Sequence, residues 1–247
     1  MLTILSFDAR NLIRDRLLFN LVCVMTFVVI GLSAAGIFRQ ELGIADFAPW
    51  VPYLIILFLI TNPGTYGLMF GLGLVEEVET QVRQALLLTP VNAVMLIGLR
   101  TLVVLVWLIA QGWAFAVCVS TAWGVTALGS VNWLTLSILV SPLGAVLMIL
   151  TATFAKNRIE ALAMGKAFSV ATAPAILSYL VPDQSWFKTL FWIFPTTATV
   201  EVFNAIKDES ETHATIWISI GSVYVTALIL IVSGIYIHQT YRFSKYG

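Results

Sequence analysis

Charged side chains are scarce in this chain. Lysine, arginine, aspartate and glutamate make up 11% of its 247 residues, whereas 60% of the residues are hydrophobic. Soluble domains are about one quarter charged and about half apolar. So few charges cannot cover a water-soluble surface, and the composition therefore favours lipid as the natural solvent. The formal net charge is zero, so no basic surface suggests a nucleic-acid partner.

Residues that carry catalytic and metal chemistry are also few. The chain has two cysteines, Cys23 and Cys118, both inside apolar runs, and two histidines. We interpret the cysteines as small apolar residues, because two of them give little support for a disulfide or a metal site. Neither a Gly-x-x-x-x-Gly-Lys-Ser/Thr phosphate loop nor a His-Glu-x-x-His zinc motif occurs in the sequence. We therefore predict no catalytic, cofactor-binding or metal-binding residue in this chain.

Long apolar runs occupy most of the remaining sequence. A transmembrane helix needs about 20 mostly apolar residues to cross about 30 Å of hydrocarbon. Six stretches qualify, and together they form one membrane domain over residues 1–247. They are Leu17–Phe38, Trp50–Leu74, about Leu99–Ser120, Trp133–Ala155, Ala167–Val181 and Thr215–Ile237. The sequence therefore predicts an all-α integral membrane protein with six transmembrane helices.

Helix-breaking residues interrupt two of these spans. Asn62, Pro63 and Gly64 lie in the middle of the second span, and Pro174 lies in the fifth. Proline frees a backbone carbonyl, which neighbouring helices or water must satisfy inside the membrane. Two interpretations stay open: kinks that flank a translocation path, or ordinary irregularities of packing.

A further segment, Trp186–Ile206, lies between the fifth and sixth spans. It begins apolar and becomes polar, and it is too short and too interrupted to cross the membrane. We expect a re-entrant or interfacial pair of short helices here. Pro195 and Glu201 are the residues that we single out in it.

Basic residues predict the orientation. With the N-terminus in the cytoplasm, the inner segments hold ten of the thirteen basic residues, and the outer segments hold Arg39, Lys188 and Lys207. The positive-inside rule favours this arrangement over its reverse. The inner residues are Arg10, Arg14, Arg16, Arg83, Arg100, Lys156, Arg158, Lys166, Arg242 and Lys245. Both termini are therefore expected in the cytoplasm, with the chain in a cell membrane, here the inner membrane of a bacterium.

The charged N-terminal segment precedes the first span. Asp8, Arg10, Arg14 and Asp15 alternate with apolar residues, which predicts a helix. A helix of this composition can lie in the membrane interface. We favour an interfacial elbow helix that leads into the first span over a charged flank that only fixes topology.

A second amphipathic segment, Leu74–Leu88, follows the second span. Its valines and Leu86 recur at helical spacing, and polar residues occupy the other faces. These polar residues are Glu76, Glu77, Glu79, Arg83 and Gln84. We predict a cytoplasmic helix that ends near Pro90, since proline disfavours helix in the residue before it. Such a helix could transmit motion from a cytoplasmic partner or merely connect two spans, and its periodicity does not decide between them.

The same segment resembles a known family. The run Glu79–Pro90 is similar to the segment E-x-G-T-x-E-x-L-L-x-T-P of the ABC-2-type permeases, the membrane subunits of one group of ABC exporters. Glu79, Leu86, Leu87, Thr89 and Pro90 match, whereas Gln81, Val82 and Gln84 replace Gly, Thr and Glu. Gly98–Arg100 and the proline-then-glutamate stretch Phe194–Ile206 also resemble the family. The small size resembles that of the drug-export permeases.

The resemblance implies a permease subunit of an ATP-driven exporter. Such a subunit would form the path for a hydrophobic or amphipathic substrate, whether a drug, a lipid or a peptide. Two cytoplasmic ATPase subunits, which hold ATP and Mg, would dock on the Leu74–Leu88 coupling helix. A second permease chain, identical or related, would complete the path, and membrane lipid would surround it. The alternative is a passive membrane scaffold or assembly protein without transport activity.

Overall fold

The computed structural model describes residues 16–80, 93–125, 128–178, 181, 186, 190–191, 194–208, 216–222, 226, 228–229 and 232–236. Within these ranges every regular element is a helix, which confirms the predicted all-α class. The elements are α1 Arg16–Ile37, a 3₁₀-helix Ala45–Trp50, α2 Val51–Glu79, α3 Ala93–Trp123, α4 Ser130–Val140, α5 Pro142–Phe154, α6 Arg158–Leu177 and α7 Pro195–Lys207. Residues 216–222 and 232–236 are also helical.

Three helical stretches have the length and composition to cross a membrane. They are Ala45–Glu77, Ile97–Trp123 and Ser130–Phe154, and they coincide with the second, third and fourth predicted spans. A shorter apolar helix, Cys23–Ile37, lies within the first predicted span. The elbow residues Asp8, Arg10, Arg14 and Asp15 lie outside the described residues, so the elbow helix stays a prediction.

The predicted fifth and sixth spans are described less fully. The helix at the fifth position, α6, begins at Arg158 rather than at Ala167 and therefore includes Glu160 and Lys166. The sixth span is described only in the helical pieces between positions 216 and 236. The count of six transmembrane helices therefore stays a prediction.

The expected break in the second span is wrong. The helix α2 continues through Asn62 and Gly64 with Pro63 inside it, and Pro174 likewise lies inside α6. Proline is tolerated in a membrane helix when neighbouring helices satisfy the groups that it frees. The interruption lies instead in the predicted fourth span, where Ser141 separates α4 from α5. Pro142, which has no backbone N–H, begins the second of these two helices.

Among the described helices, α2 and α5 share the most extensive packing contact. Gly67 and Gly71 form a Gly-x-x-x-Gly pair on α2, and Gly144 on α5 faces Gly67. A methyl group at Gly67 would overlap the carbonyl oxygen of Gly144, and one at Gly71 would lie 2.7 Å from Cβ of Thr151. Small residues four positions apart allow two helix backbones to approach closely. We call this contact the glycine seam.

The bundle has two ends, which we name after residues near the two ends of α2. The Trp50 end contains the end of α1, the 3₁₀-helix, the start of α2 and the end of α3. The opposite end, which we call the Glu79 end, contains the end of α2, the start of α3, the end of α5 and the start of α6. The first part of the predicted helix Leu74–Leu88 is not a separate helix, because residues 74–79 form the last turns of α2.

The helix α7 falls inside the segment that we expected to be re-entrant or interfacial. Its residues Val200, Val202 and Phe203 are buried, and it packs against α4 and α6. The Phe203 ring lies 6.2 Å from that of Trp133 and 5.8 Å from that of Tyr53. Trp133, the first residue of the fourth predicted span, is thus a core residue. Whether the segment is re-entrant stays a prediction.

Candidate functional site

A buried ion pair joins α2 to α3 at the Glu79 end. The Arg100 Nη1 and Nη2 atoms donate to the two Glu77 carboxylate oxygens at 2.7 and 2.6 Å. The Arg100 and Glu77 side chains retain only 10% and 13% exposure. A bidentate arginine–carboxylate pair fixes both distance and orientation, because its two hydrogen bonds are parallel. The guanidinium of Arg100, which we counted among the inner basic residues, is thus held within the chain.

A second set of polar contacts joins the same end of α2 to the α5–α6 connection. The Arg158 side chain lies 3.7 Å from the Glu76 carboxylate, and the Arg158 backbone N–H donates to Glu79 Oε1 at 3.1 Å. Asn157 caps α6, because its side-chain oxygen accepts from the Glu160 N–H at 2.9 Å. Both Glu76 and Arg158 remain near half-exposed, so this pair contributes little to stability.

These contacts show which of the predicted coupling residues are buried and which remain accessible. Glu77 was expected to present its carboxylate to a partner, but the structure turns it inward onto Arg100. Glu76 and Glu79 remain accessible at the end of α2. Arg83 and Gln84 lie outside the described residues, so their part in a coupling helix stays a prediction.

A chain of polar side chains crosses between α2 and α3 near the middle of both helices. The Asn62 side-chain Nδ2 donates to Gln111 Oε1 at 3.2 Å, and Gln111 Nε2 donates to the Tyr66 hydroxyl at 2.7 Å. The Tyr66 ring meets the ring of Trp107 edge-on at 6.2 Å. Because Trp107 is 43% exposed, this row of contacting side chains runs from the protein interior to the bundle surface. We call these residues the polar bridge.

Asn62 is the least satisfied member of the polar bridge. Its side chain is 2% exposed, and its Oδ1 atom accepts no hydrogen bond from the described residues. Polar groups at membrane depth are costly, and they commonly mark a functional path. The bridge therefore places amide and hydroxyl groups, which can form hydrogen bonds, midway along two membrane-length helices.

The other residues that we had singled out lie apart along the chain. Pro63 and Gly64 follow Asn62 in the middle of α2, and Pro174 is half-buried near the end of α6. Pro195 begins α7, in which Glu201 is half-buried. A role for Pro63, Gly64 and Pro174 in a translocation path stays a prediction.

Two features of the candidate site were not predicted from the sequence. Gln111 is the only side-chain amide in the predicted third span, and that isolation was a usable signal. The pairing of Glu77 with Arg100 had no signal within either helix, because it depends on how α2 and α3 are rotated against each other. Among the described residues, no group of three or more His, Cys, Asp or Glu side chains could hold a metal ion.

Comparison with known proteins gives one result. Residues 8–233 match the family model described as fluoroquinolones export permease protein Rv2686c-like. No curated protein and no solved structure matches the chain significantly. The match includes α1 to α7 and ends at residue 233, so it covers both the buried ion pair and the polar bridge.

Proposed function

Because this chain belongs to the Rv2686c-like family of fluoroquinolone export permeases, we propose that it is the membrane subunit of an ATP-driven drug exporter. Its substrates would be amphipathic drugs, with fluoroquinolones among them. The proposal rests on the family match over residues 8–233. The apolar, membrane-length helices are compatible with it, and no observation favours a passive scaffold.

We place the Glu79 end in the cytoplasm. Basic residues support this orientation, since Arg100, Lys156, Arg158 and Lys166 lie at or near the Glu79 end. At the opposite end the described residues include only Arg39 and Lys207 as lysines or arginines. An excess of basic residues on the cytoplasmic side is the usual pattern in membrane proteins.

The energy would come from a separate ATPase subunit that holds ATP and Mg. We propose that it docks at the Glu79 end, on residues 80–92 and on the exposed carboxylates of Glu76 and Glu79. The Glu77–Arg100 pair joins α2 and α3, the two helices that this segment connects in the sequence. A displacement of the segment would therefore reach α2 and α3 together. This is an ABC-2-type arrangement, with two permease chains and two ATPase subunits.

The translocation path would run beside the polar bridge. A drug that carries carbonyl and amine groups loses its hydrogen bonds with water when it enters the membrane. The Asn62 and Gln111 amides can replace some of these bonds, because each amide both donates and accepts. The buried, unsatisfied Asn62 Oδ1 supports this placement, since a donor on the substrate would satisfy it.

Purification and reconstitution test the proposed function. The chain is extracted from its own host membrane in mild detergent, the mass of the complex is measured, and the complex is placed in lipid vesicles. We expect two permease chains with two ATPase subunits, and fluoroquinolone movement that requires ATP. A complex whose ATPase lacks its phosphate-loop lysine is the control. Full transport by the chain without any ATPase, or an intact complex that moves no drug, would contradict the proposal.

A further inference from the structure

The helix α7 is too short to cross a membrane, and its N-terminus lies near the middle of the bundle. Its 13 residues extend over about 20 Å, against about 30 Å of hydrocarbon. At its C-terminus Lys207 Nζ donates to the Tyr53 hydroxyl at 2.6 Å, which places that end at the Trp50 end. Near its N-terminus, a methyl group at Gly221 would lie 3.3 Å from Ala198 Cβ and 3.0 Å from Leu139 Cδ1. Leu139 is near the end of α4, midway along the membrane-length α4–α5 stretch.

The first turn of α7 contains two hydrogen-bond donors on one residue. Pro195 begins the helix and has no backbone N–H, so Thr196 carries the first one. Neither that N–H nor the Thr196 hydroxyl bonds to any described residue, although Thr196 is only 3% exposed. The next residue is fully engaged. The Thr197 hydroxyl donates to the Phe191 carbonyl at 2.7 Å, and its N–H donates to the Phe194 carbonyl at 3.0 Å.

The position of these two donors favours an anionic ligand. Helical Cα–Cβ bonds tilt toward the N-terminus, so the Thr196 hydroxyl lies at the same end of the helix as the N–H. The N-terminus is also the positive end of the helix dipole. Inside a membrane no bulk water replaces a missing partner, and a buried hydroxyl without one is costly. Glu201, the only carboxylate of α7, lies five residues further along and on another side of the helix.

We propose that the N-terminus of α7 binds the carboxylate of an amphipathic drug, with the N–H and the hydroxyl of Thr196 as its donors. Fluoroquinolones carry such a carboxylate on their flat ring system. One carboxylate can accept both hydrogen bonds, and an ionised acceptor makes them stronger than neutral ones. Half-helix N-termini that face anionic substrate groups occur in membrane transporters. The inference rests on the proposed function and adds to it, because α7 contacts α2, which carries the Asn62 acceptor of the polar bridge.

The carboxylate of the drug provides the test. Two probes are compared, a fluoroquinolone and its methyl ester, which keeps the ring and the amine but loses the negative charge. Binding to the full-length chain in lipid nanodiscs is followed by the fluorescence of the probe, with empty nanodiscs as the background. We expect the unaltered chain to bind the acid about tenfold more tightly than the ester. Thr196→Val, which keeps the shape of the side chain, should raise the Kd of the acid about fivefold and change that of the ester less than about twofold.

The stability of the same variant separates a binding role from a structural one. Thr196→Val removes a hydroxyl that has no partner among the described residues, so the drug-free variant should unfold at the same or a higher temperature. Thr197→Val removes a hydroxyl that is bonded to the Phe191 carbonyl and should unfold at a lower temperature. Thr153→Val is the binding control. Its hydroxyl bonds to the Ile149 carbonyl on α5, and its loss should change neither Kd.

Three results would overturn the inference. They are equal binding of the two probes to the unaltered chain, equal losses of affinity for both probes in Thr196→Val, and a lower unfolding temperature of that variant. Transport by the reconstituted complex separates this inference from the proposed function. If the complex exports the ester as well as the acid in the presence of ATP, the carboxylate site is wrong and the exporter stands. If the unaltered complex moves neither probe, the proposed function itself is wrong.

Discussion

Glu77 and Arg100 lie on opposite sides of residues 81–92 in the chain, and two hydrogen bonds of 2.7 and 2.6 Å join their side chains. The helices α2 and α3 are therefore held together at the point where the chain leaves one and enters the other. A force applied to the connecting segment acts on a joined pair of helices rather than on two independent ones.

Breaking this pair should destabilise the protein more than breaking its exposed neighbour. Glu77→Gln or Arg100→Gln removes one charge of a buried bidentate pair, which commonly costs about 3–5 kcal/mol. Glu76→Gln, which removes a near half-exposed carboxylate 3.7 Å from Arg158, should cost less than about 1 kcal/mol. Thermal unfolding in detergent measures both. The exchange of the two charges, Glu77→Arg with Arg100→Glu, should recover part of the loss, and equal effects at Glu76 and Glu77 would contradict the role of the pair.

The polar bridge should show strong coupling between Asn62 and Gln111. Gln111→Leu leaves the buried Asn62 amide without the acceptor that it uses, at about 1–3 kcal/mol. The double variant, Asn62→Leu with Gln111→Leu, removes both groups and should be less destabilised than the sum of the single variants. Unfolding of all four forms gives this coupling energy.

Transport adds a second measurement on the same variants. If the bridge borders the drug path, the double variant should lose most of its fluoroquinolone efflux, although it is less destabilised than the sum of the single variants. If the double variant transports drug as well as the unaltered protein, and if the losses of stability of the single variants simply add, the bridge neither couples the two helices nor borders the drug path.

The glycine seam should tolerate no added methyl group. Gly67→Ala forces a Cβ atom into the backbone of α5 at Gly144, which cannot move aside as a side chain can, and overpacking of this kind costs about 1–3 kcal/mol or more. Gly73→Ala is the control on the same helix, because nothing lies within 4 Å of its added Cβ. That variant should be neutral or stabilised by up to about 1 kcal/mol, since alanine favours helix over glycine. Similar unfolding temperatures for the two variants would be inconsistent with the seam.

Cysteines introduced at opposite ends of the bundle should react with a reagent that is added on opposite sides of the membrane. Lys156 and Lys207 are both exposed, one between α5 and α6 and the other at the end of α7. In a chain freed of Cys23 and Cys118, cysteine at position 156 should react with an impermeant maleimide only after the cells are opened. Cysteine at position 207 should react in intact cells. Labelling of both positions from one side would rule out the proposed orientation.

Charge reversal at the Glu79 end should weaken ATPase docking. Glu76→Lys with Glu79→Lys replaces two exposed carboxylates at the proposed docking surface, and exposed charges mainly steer association. Glu41→Lys with Asp208→Lys makes the same change at the Trp50 end, where no ATPase would bind. We expect less ATPase to co-purify with the first variant alone, and the difference to grow at low salt. Normal retention by both variants would place docking elsewhere.

The sequence predicted those parts of the fold that depend on the thickness of a membrane. Apolar length alone identified α2, α3 and the α4–α5 stretch, because only a run of that length can cross the hydrocarbon. It did not predict that Pro63 would stay inside a continuous helix. The packing of α5 against that part of α2 accompanies this continuity, and such packing is a tertiary property that no local pattern reports.

The candidate sites were harder to predict because they depend on helix rotation. Periodicity placed Glu77 among the polar residues of one face, but only the rotation of α3 brings Arg100 opposite it. Asn62 was singled out as part of a break, whereas its observed partner is Gln111, far along the chain.

The glycine seam has a mechanical consequence for the transport cycle. Side chains that interdigitate can change rotamer and let two helices slide, but a contact of backbone against backbone has no such freedom. The helices α2 and α5 should therefore move as one rigid strut. A path bordered by α2 and α3 would then widen when α3 shifts against this strut, and the Glu77–Arg100 pair would act as the pivot about which α3 turns.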